Sequence, residues 1–174
     1  MKEKFKIVDS IEVCVKDKDG NIKSKHMINS GFLNKLLCRL GLKHNSVTKL
    51  GMQEVAKLIL TDVGGTAFDY IGIGEGTTAA TVNDATLESE VKRKAAVGSL
   101  NTTTQVNDTA KWVATFSSTD SLSGNDAITE IGILNATSNG VLLLRQVYSP
   151  ADNCNWDAGD TLEVTVKCQI KQGS

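Results

Sequence analysis

Residues 161–170 alternate without a break. Leu162, Val164, Val166, Cys168 and Ile170 fall on one side, and Thr161, Glu163, Thr165, Lys167 and Gln169 on the other. A period of two is the repeat of a β-strand, not of a helix. This stretch is therefore a strand with one packed face and one face that is wet or at an interface. Such a strand cannot bury its apolar side alone. It needs neighbours in a sheet and a second layer against that sheet.

Partners are available. Candidate strands recur near 95–105, 110–118, 127–135 and 140–148, with a short one at Tyr70, Ile71 and Ile73. Turn signals separate several of them: Ser123-Gly124-Asn125-Asp126, Ser138-Asn139-Gly140 and Asp157-Ala158-Gly159-Asp160. Short strands at this spacing predict a β-sandwich or a jelly-roll-like barrel. The single proline, Pro150, reads as loop before Cys154, and Leu87 to Lys94 fits either a short helix or a strand edge.

The N-terminal quarter differs. Phe5, Ile7, Ile11, Val13 and Val15, the turn Lys18-Asp19-Gly20-Asn21 and the return run Ile22 to Ile28 predict a β-hairpin. After Asn29-Ser30-Gly31, the residues Phe32, Leu33, Leu36, Leu37 and Leu40 recur at helical spacing. Met52, Val55, Ala56, Ile59 and Leu60 do the same before Asp62-Val63-Gly64-Gly65. The expectation is a mainly β chain, α+β overall, with two short N-terminal helices near 31–41 and 51–61. It divides into a hairpin arm over 1–28 and a sandwich-like module over 29–174.

With 174 residues, a chain buries roughly 70% of its unfolded surface and needs neither disulfide nor metal to hold a core. Cys14, Cys38, Cys154 and Cys168 lack the CxxC spacing of zinc or redox motifs. They read as buried thiols, with a Cys154–Cys168 bridge the alternative. The basic start Met-Lys-Glu-Lys-Phe-Lys leads into no apolar run, and no stretch approaches 18 apolar residues, so neither a signal peptide nor a membrane span is predicted. Aromatics at 5% argue against a stacking platform for single-stranded nucleic acid. The net charge of −1 is uneven: residues 1–50 carry +6 and residues 51–174 carry −7. Opposite ends of neighbouring copies can attract through such asymmetry, or it marks two solvated surfaces.

Sites of reaction chemistry are not evident. His26 and His44 fall in no nucleophile motif. Gly72-Ile73-Gly74-Glu75-Gly76 lacks the Gly-Lys-Ser/Thr of a phosphate loop, and Thr77-Thr78-Ala79-Ala80-Thr81 is a poor helix start. Those glycines read instead as close strand packing. Asn153, Asn155 and Asp157 form an incomplete calcium-loop pattern and read as a polar turn. The sequons at Asn101, Asn107 and Asn135 are byproducts of Asn/Thr richness. No catalytic residue, cofactor or metal ligand is assigned.

Two constellations stand out. Glu130 opens the apolar run Ile131-Gly132-Ile133-Leu134, and Arg145 closes Leu142-Leu143-Leu144. A charge flanked by buried strand residues often needs a partner, so Glu130 reads as paired with Arg93 or with Arg145, with separate exposed charges the alternative. Trp112 lies in an alternating run and reads as core, whereas Trp156 sits in a polar stretch and is the candidate ligand contact.

Several segments in order carry a resemblance. They are Asn29-Ser30-Gly31 with Glu54-Val55-Ala56-Lys57-Leu58-Ile59-Leu60, then Tyr70-Ile71-Gly72-Ile73-Gly74-Glu75-Gly76-Thr77-Thr78, then Asp84-Ala85-Thr86-Leu87-Glu88-Ser89-Glu90 with Arg93. Ile128 to Asn135, Gly140 to Pro150 and Gly159-Asp160-Thr161-Leu162 follow. This order resembles small virion structural proteins of tailed phages and is similar to the N-terminal module of phage tail-collar fibres. It covers about residues 29–168. It implies structural assembly, with no catalytic residues to carry over. Its expected partners are copies of itself in a homo-oligomer and other virion proteins such as a capsid or tail protein, with no nucleic acid and no membrane. The expected location is the virion, assembled in the host cytoplasm. Collar fibres continue into a shaft, and this chain stops at Ser174. That favours a head-associated or capsid-decorating subunit over a tail, baseplate or fibre-like adaptor, with a receptor- or glycan-binding tip as a further alternative.

Overall fold

The computed structural model describes residues 4–29, 44–60 and 63–173. The chain is mainly β: among the described residues ten strands form two five-stranded antiparallel sheets packed as a sandwich. The strands are β1 (Lys4–Lys16), β2 (Ile22–Asn29), β3 (His44–Val47), β4 (Tyr70–Gly74), β5 (Glu90–Ala95), β6 (Val97–Asn101), β7 (Thr109–Phe116), β8 (Asn125–Leu134), β9 (Leu142–Asn155) and β10 (Thr161–Gly173). The first sheet runs β2-β1-β10-β7-β6, and the second β3-β9-β8-β4-β5.

The alternating run of residues 161–170 is β10, the middle strand of the first sheet. Leu162, Val164 and Val166 are fully buried, and each such burial contributes about 1.5–3 kcal/mol. In register with Val166 lie Trp112 on β7 and Ile11 on β1. The inner face of the second sheet answers with Ile71, Ile73, Ile131, Ile133 and Leu144. Ile170 departs from the expected pattern. It lies in the overhanging end of β10 opposite Ile7 and stays half exposed.

The N-terminal hairpin forms as β1 and β2, with Gly20 at φ +84° in its turn. β1 pairs with β10 from Lys4↔Gly173 to Lys16↔Thr161, which makes the hairpin part of the first sheet. Of the ambiguous stretch 87–94, residues 90–94 belong to strand β5 and residues 87–89 to the loop before it. The run continues through Ala96, whose amide donates to the Asp69 carbonyl, straight into β6 of the other sheet. Strands that change sheets in this way form the corners of sandwiches.

One expectation is corrected here. β9 does not stop near 148. It continues to Asn155 through the cis Ser149–Pro150 bond, with a register shift between its pairings Glu130↔Val147 and Ile128↔Asp152. A bulge absorbs the extra residues and keeps both flanks of the strand paired. Among the described residues there is one α-helix, α1 (Lys49–Leu58), where the second of the two expected helices lies, beside a single 3-10 turn at Ser118–Asp120. The helix expected near 31–41 falls outside the described residues. In α1 the Thr48 side chain caps the Gly51 amide at 2.8 Å and donates to the Leu142 carbonyl. A Cβ on Gly51 would stand 2.6 Å from Leu143 Cα, so the helix lies directly on β9. That contact turns Gly51 and Glu54 inward and leaves Met52, Ile59 and Leu60 exposed.

Candidate functional site

The outer face of the second sheet carries a row of five residues in register: Arg93 on β5, Gly72 on β4, Gly132 on β8, Arg145 on β9 and Ser46 on β3. Two glycines between two arginines leave a trough. The connection from β4 to β5, residues 75–89, folds across it. Leu87 fills the trough. Its Cδ atoms lie 2.8 Å from where a Cβ on Gly72 or Gly132 would stand. Leu87, Leu134 and Leu142 form a second small apolar cluster there, with Tyr70 packed against it.

Beside Leu87 lies a polar knot. Glu130 is 0% exposed. Its carboxylate accepts from the backbone amides of Gly76 at 3.2 Å, Ser89 at 2.7 Å and Glu88 at 3.1 Å, and from Arg145 Nε at 2.7 Å. Four donors satisfy it, as a buried carboxylate requires. The same guanidinium reaches Asp84 through Nη1 at 3.1 Å and Glu88 through Nη2 at 3.0 Å. One arginine thus serves three carboxylates, a use that suits its planar fork of donors.

The loop is pre-folded to deliver those carboxylates. Asp84 accepts from the Thr81 amide and hydroxyl, and Glu88 from the Thr78 amide and hydroxyl. Burial pushes the Asp84 carboxyl up, but the Thr81 bonds and Arg145 hold it below its ordinary value. Hydrogen bonds from Thr78, with Arg145 behind them, hold the Glu88 carboxyl down as well. The strap is also tied down outside the knot. Glu75 accepts from the Ala127 amide, the Thr129 hydroxyl donates to the Gly76 carbonyl, and the Lys49 amide of α1 donates to the Val82 carbonyl. The glycines of 72–76 are required by contact: a Cβ on Gly76 would stand 2.6 Å from the Glu130 carboxylate.

The structure brings Glu130 and Arg145 together. It places Arg93 elsewhere, forked onto Glu90 at 2.7 and 2.9 Å and donating to the Ala136 and Asn139 carbonyls at 2.9 and 2.8 Å. Arg93 thereby pins the β8–β9 turn. Asp84 was not anticipated as a partner of Arg145; the legible signal is the Thr81-x-x-Asp84 spacing of a side-chain-closed turn.

Trp156 is corrected as a ligand contact. Its side chain is 1% exposed, in the core cluster, and its Nε1 donates to Asp126 at 2.6 Å. A ring with no free face offers no stacking surface. The polar sequence around it is the turn 155–160, closed by the Asn155 and Asp160 side chains on the Ala158 and Asn155 amides. An open cleft of about 430 Å³ lies beside it, lined by Lys23, Glu75, Asp126 and Asn153 among others. Lys23 there is paired with Asp160.

A second polar cluster joins the sheets. Asp152 of β9 is 0% exposed. Its Oδ1 accepts from the Ser24 hydroxyl at 2.5 Å and lies 3.4 Å from His26 Nε2, both on β2. The His26 ring stands 5.8 Å from that of Tyr148. Burial and the Asp152 charge push the Tyr148 phenol well above its ordinary value. Ser24 and His26 converge on one carboxylate oxygen. The serine proton points at the acid rather than at the imidazole, so the three are a cross-sheet tie and not a nucleophile–base relay. Cys14, Cys154 and Cys168 are buried free thiols, and burial pushes the latter two up to about 12.

What the fold and the knot define is a two-layer antiparallel β-sandwich with one crossing loop strapped to its outer face by a buried arginine. Comparison of the chain with protein-family models, curated proteins and solved structures finds no match.

Proposed function

We propose that this chain is a structural protein of a virus particle, a head-associated or capsid-decorating subunit of the tailed-phage type. It acts by packing against copies of itself and against other virion proteins. One observation carries the reading. The segments that resemble small phage virion proteins, over 70–78, 84–93, 128–135 and 140–150, meet in three dimensions at the strap over the second sheet. Six of their charged residues are spent on one another: Arg145 on Glu130, Asp84 and Glu88, and Arg93 on Glu90. Shared residues used this way belong to an architecture, and a rigid, strapped sheet suits a subunit that repeats many contacts on a symmetric shell.

The test is quantitative mass spectrometry of purified particles from the genome that encodes the chain. The expected result is many copies per particle. Abundance in the lysate with absence from particles would overturn the proposal.

A further inference from the structure

We infer that β6 is a self-pairing edge, at which a second copy of this chain adds antiparallel to extend the first sheet across a twofold axis. The inference deepens the reading of the chain as a packing subunit and rests on it only for its biological setting.

An edge strand directs alternate N–H and C=O groups away from its one neighbour, and proteins normally blunt such edges with charge, proline or brevity. Among the described residues, three of the four sheet edges are blunted. β2 carries Lys23 and Lys25, β5 carries Glu90, Lys92, Arg93 and Lys94, and β3 has four residues. β6 reads Val97-Gly98-Ser99-Leu100-Asn101, with no charge and no proline. Its large apolar side chains are open to solvent, Val97 at 75% and Leu100 at 63%.

The strand is complementary to itself. Antiparallel pairing centred on Ser99 sets Val97 against Asn101 of the second copy, and Gly98 against its Leu100. Directly opposed residues share a face. Gly98 lies in register with Trp112, and a Cβ built on it meets nothing within 4 Å. The incoming Leu100 therefore finds open space over Gly98 beside a partly exposed indole, twice by symmetry. On the neighbouring strand the charge in register with Ser99 is Lys111, one on each copy. Three strand spacings put them about 14 Å apart, beyond the Debye length of roughly 8 Å at physiological salt. A five-residue edge buries less than the ~1,000 Å² of a stable independent interface, so the free dimer is weak and concentration-dependent.

The experiment is sedimentation velocity of the full chain at concentrations up to about 1 mM, where even a small interface registers, with the Val97→Lys/Leu100→Lys variant beside it. Both positions are exposed, and circular dichroism checks that the variant folds. The expected result is a wild-type dimer that the variant weakens at least about tenfold. A wild-type monomer throughout, or a dimer that the folded variant leaves unchanged, overturns the inference.

Cysteine cross-linking reads the register, with the wild-type chain as control for its native thiols. Ser99→Cys meets its own mate across the axis and is expected to form an oxidised dimer. Val97→Cys lies about 13 Å from its mate at ~3.4 Å per residue, beyond disulfide reach, and is expected not to. Equal cross-linking at both sites contradicts the register. Loss of the dimer removes this surface alone, because residence in the particle is read separately by mass spectrometry.

Discussion

Replacing Arg145 by Met removes the one cation in the knot and keeps much of its volume. The consequences differ among its three partners. The Glu88 side chain is 39% exposed and keeps its Thr78 bonds, and that of Asp84 is 18% exposed and keeps Thr81. Pairs this open to solvent are screened and add little. Glu130 is different. Fully buried, it keeps three amide donors and loses its only counter-charge in the knot. Removing one partner of a buried pair costs about 3–5 kcal/mol, since the other charge stays behind. The sum is dominated by Glu130 and comes to about 4 kcal/mol, which lowers Tm by about 8–16 °C in a domain of this size. Urea unfolding followed by circular dichroism measures it. The reasoning makes a sharper demand on a double-mutant cycle. Glu130→Gln in the Arg145→Met background removes the stranded charge and leaves an acceptor for the amides. The double variant is therefore expected to be more stable than Arg145→Met alone, with a coupling of at least about 2 kcal/mol. An Arg145→Met cost below about 1 kcal/mol, or a coupling near zero, would refute the claim that this pair fastens the strap.

Three further outcomes follow from other parts of the molecule. Burial raises the Asp9 carboxyl to about 6, so its ionisation opposes folding above pH 6, and the penalty fades as pH falls through that value toward the unfolded value of 3.8. Asp9→Asn is expected to gain about 2–3 kcal/mol at pH 8 and nothing near pH 4; a pH-independent difference in urea midpoints would contradict this. Gly76→Ala drives a Cβ into the Glu130 carboxylate and is expected to cost about 1–3 kcal/mol, read by thermal unfolding, whereas Gly98→Ala, in open space within a strand, is expected to cost nothing and to gain up to about 1 kcal/mol. Trp156→Ala empties the core and is expected to lose about 3–5 kcal/mol; a folded variant of unchanged stability that has lost glycan binding on an array would restore the ligand role withdrawn above.

Much of the fold was legible because it is written in short-range periodicity. The β10 alternation, the Gly20 hairpin and the turns at Gly124, Gly140 and Gly159 all declare themselves within a few residues. The four-residue β3 has no room for a pattern, and β9 hides behind Pro150, since a bulge accommodates what the local rule forbids. The apolar spacing over 51–61 points to Met52, Val55, Ala56, Ile59 and Leu60; Val55 does pack on the core, but the contact of Gly51 with β9 turns Gly51 and Glu54 inward beside it, and Met52, with Ile59 and Leu60 past the helix end, stays exposed. The site follows the same division. That Glu130 among apolar strand residues needs a partner is a local deduction. Which arginine serves it is a matter of strand order and register: Arg145 lies on β9, next to Glu130's own strand β8, whereas Arg93 lies on β5, with β4 between. Trp156 was misleading because its polar neighbours are the closing side chains of a tight turn, which leaves the ring inside.

The most direct test of the structural role is one image: assembled particles in which the protein carries a gold label. The account predicts gold spread over the head shell at many positions. Gold confined to the tail would contradict the head assignment, and particles without gold would contradict the structural role altogether.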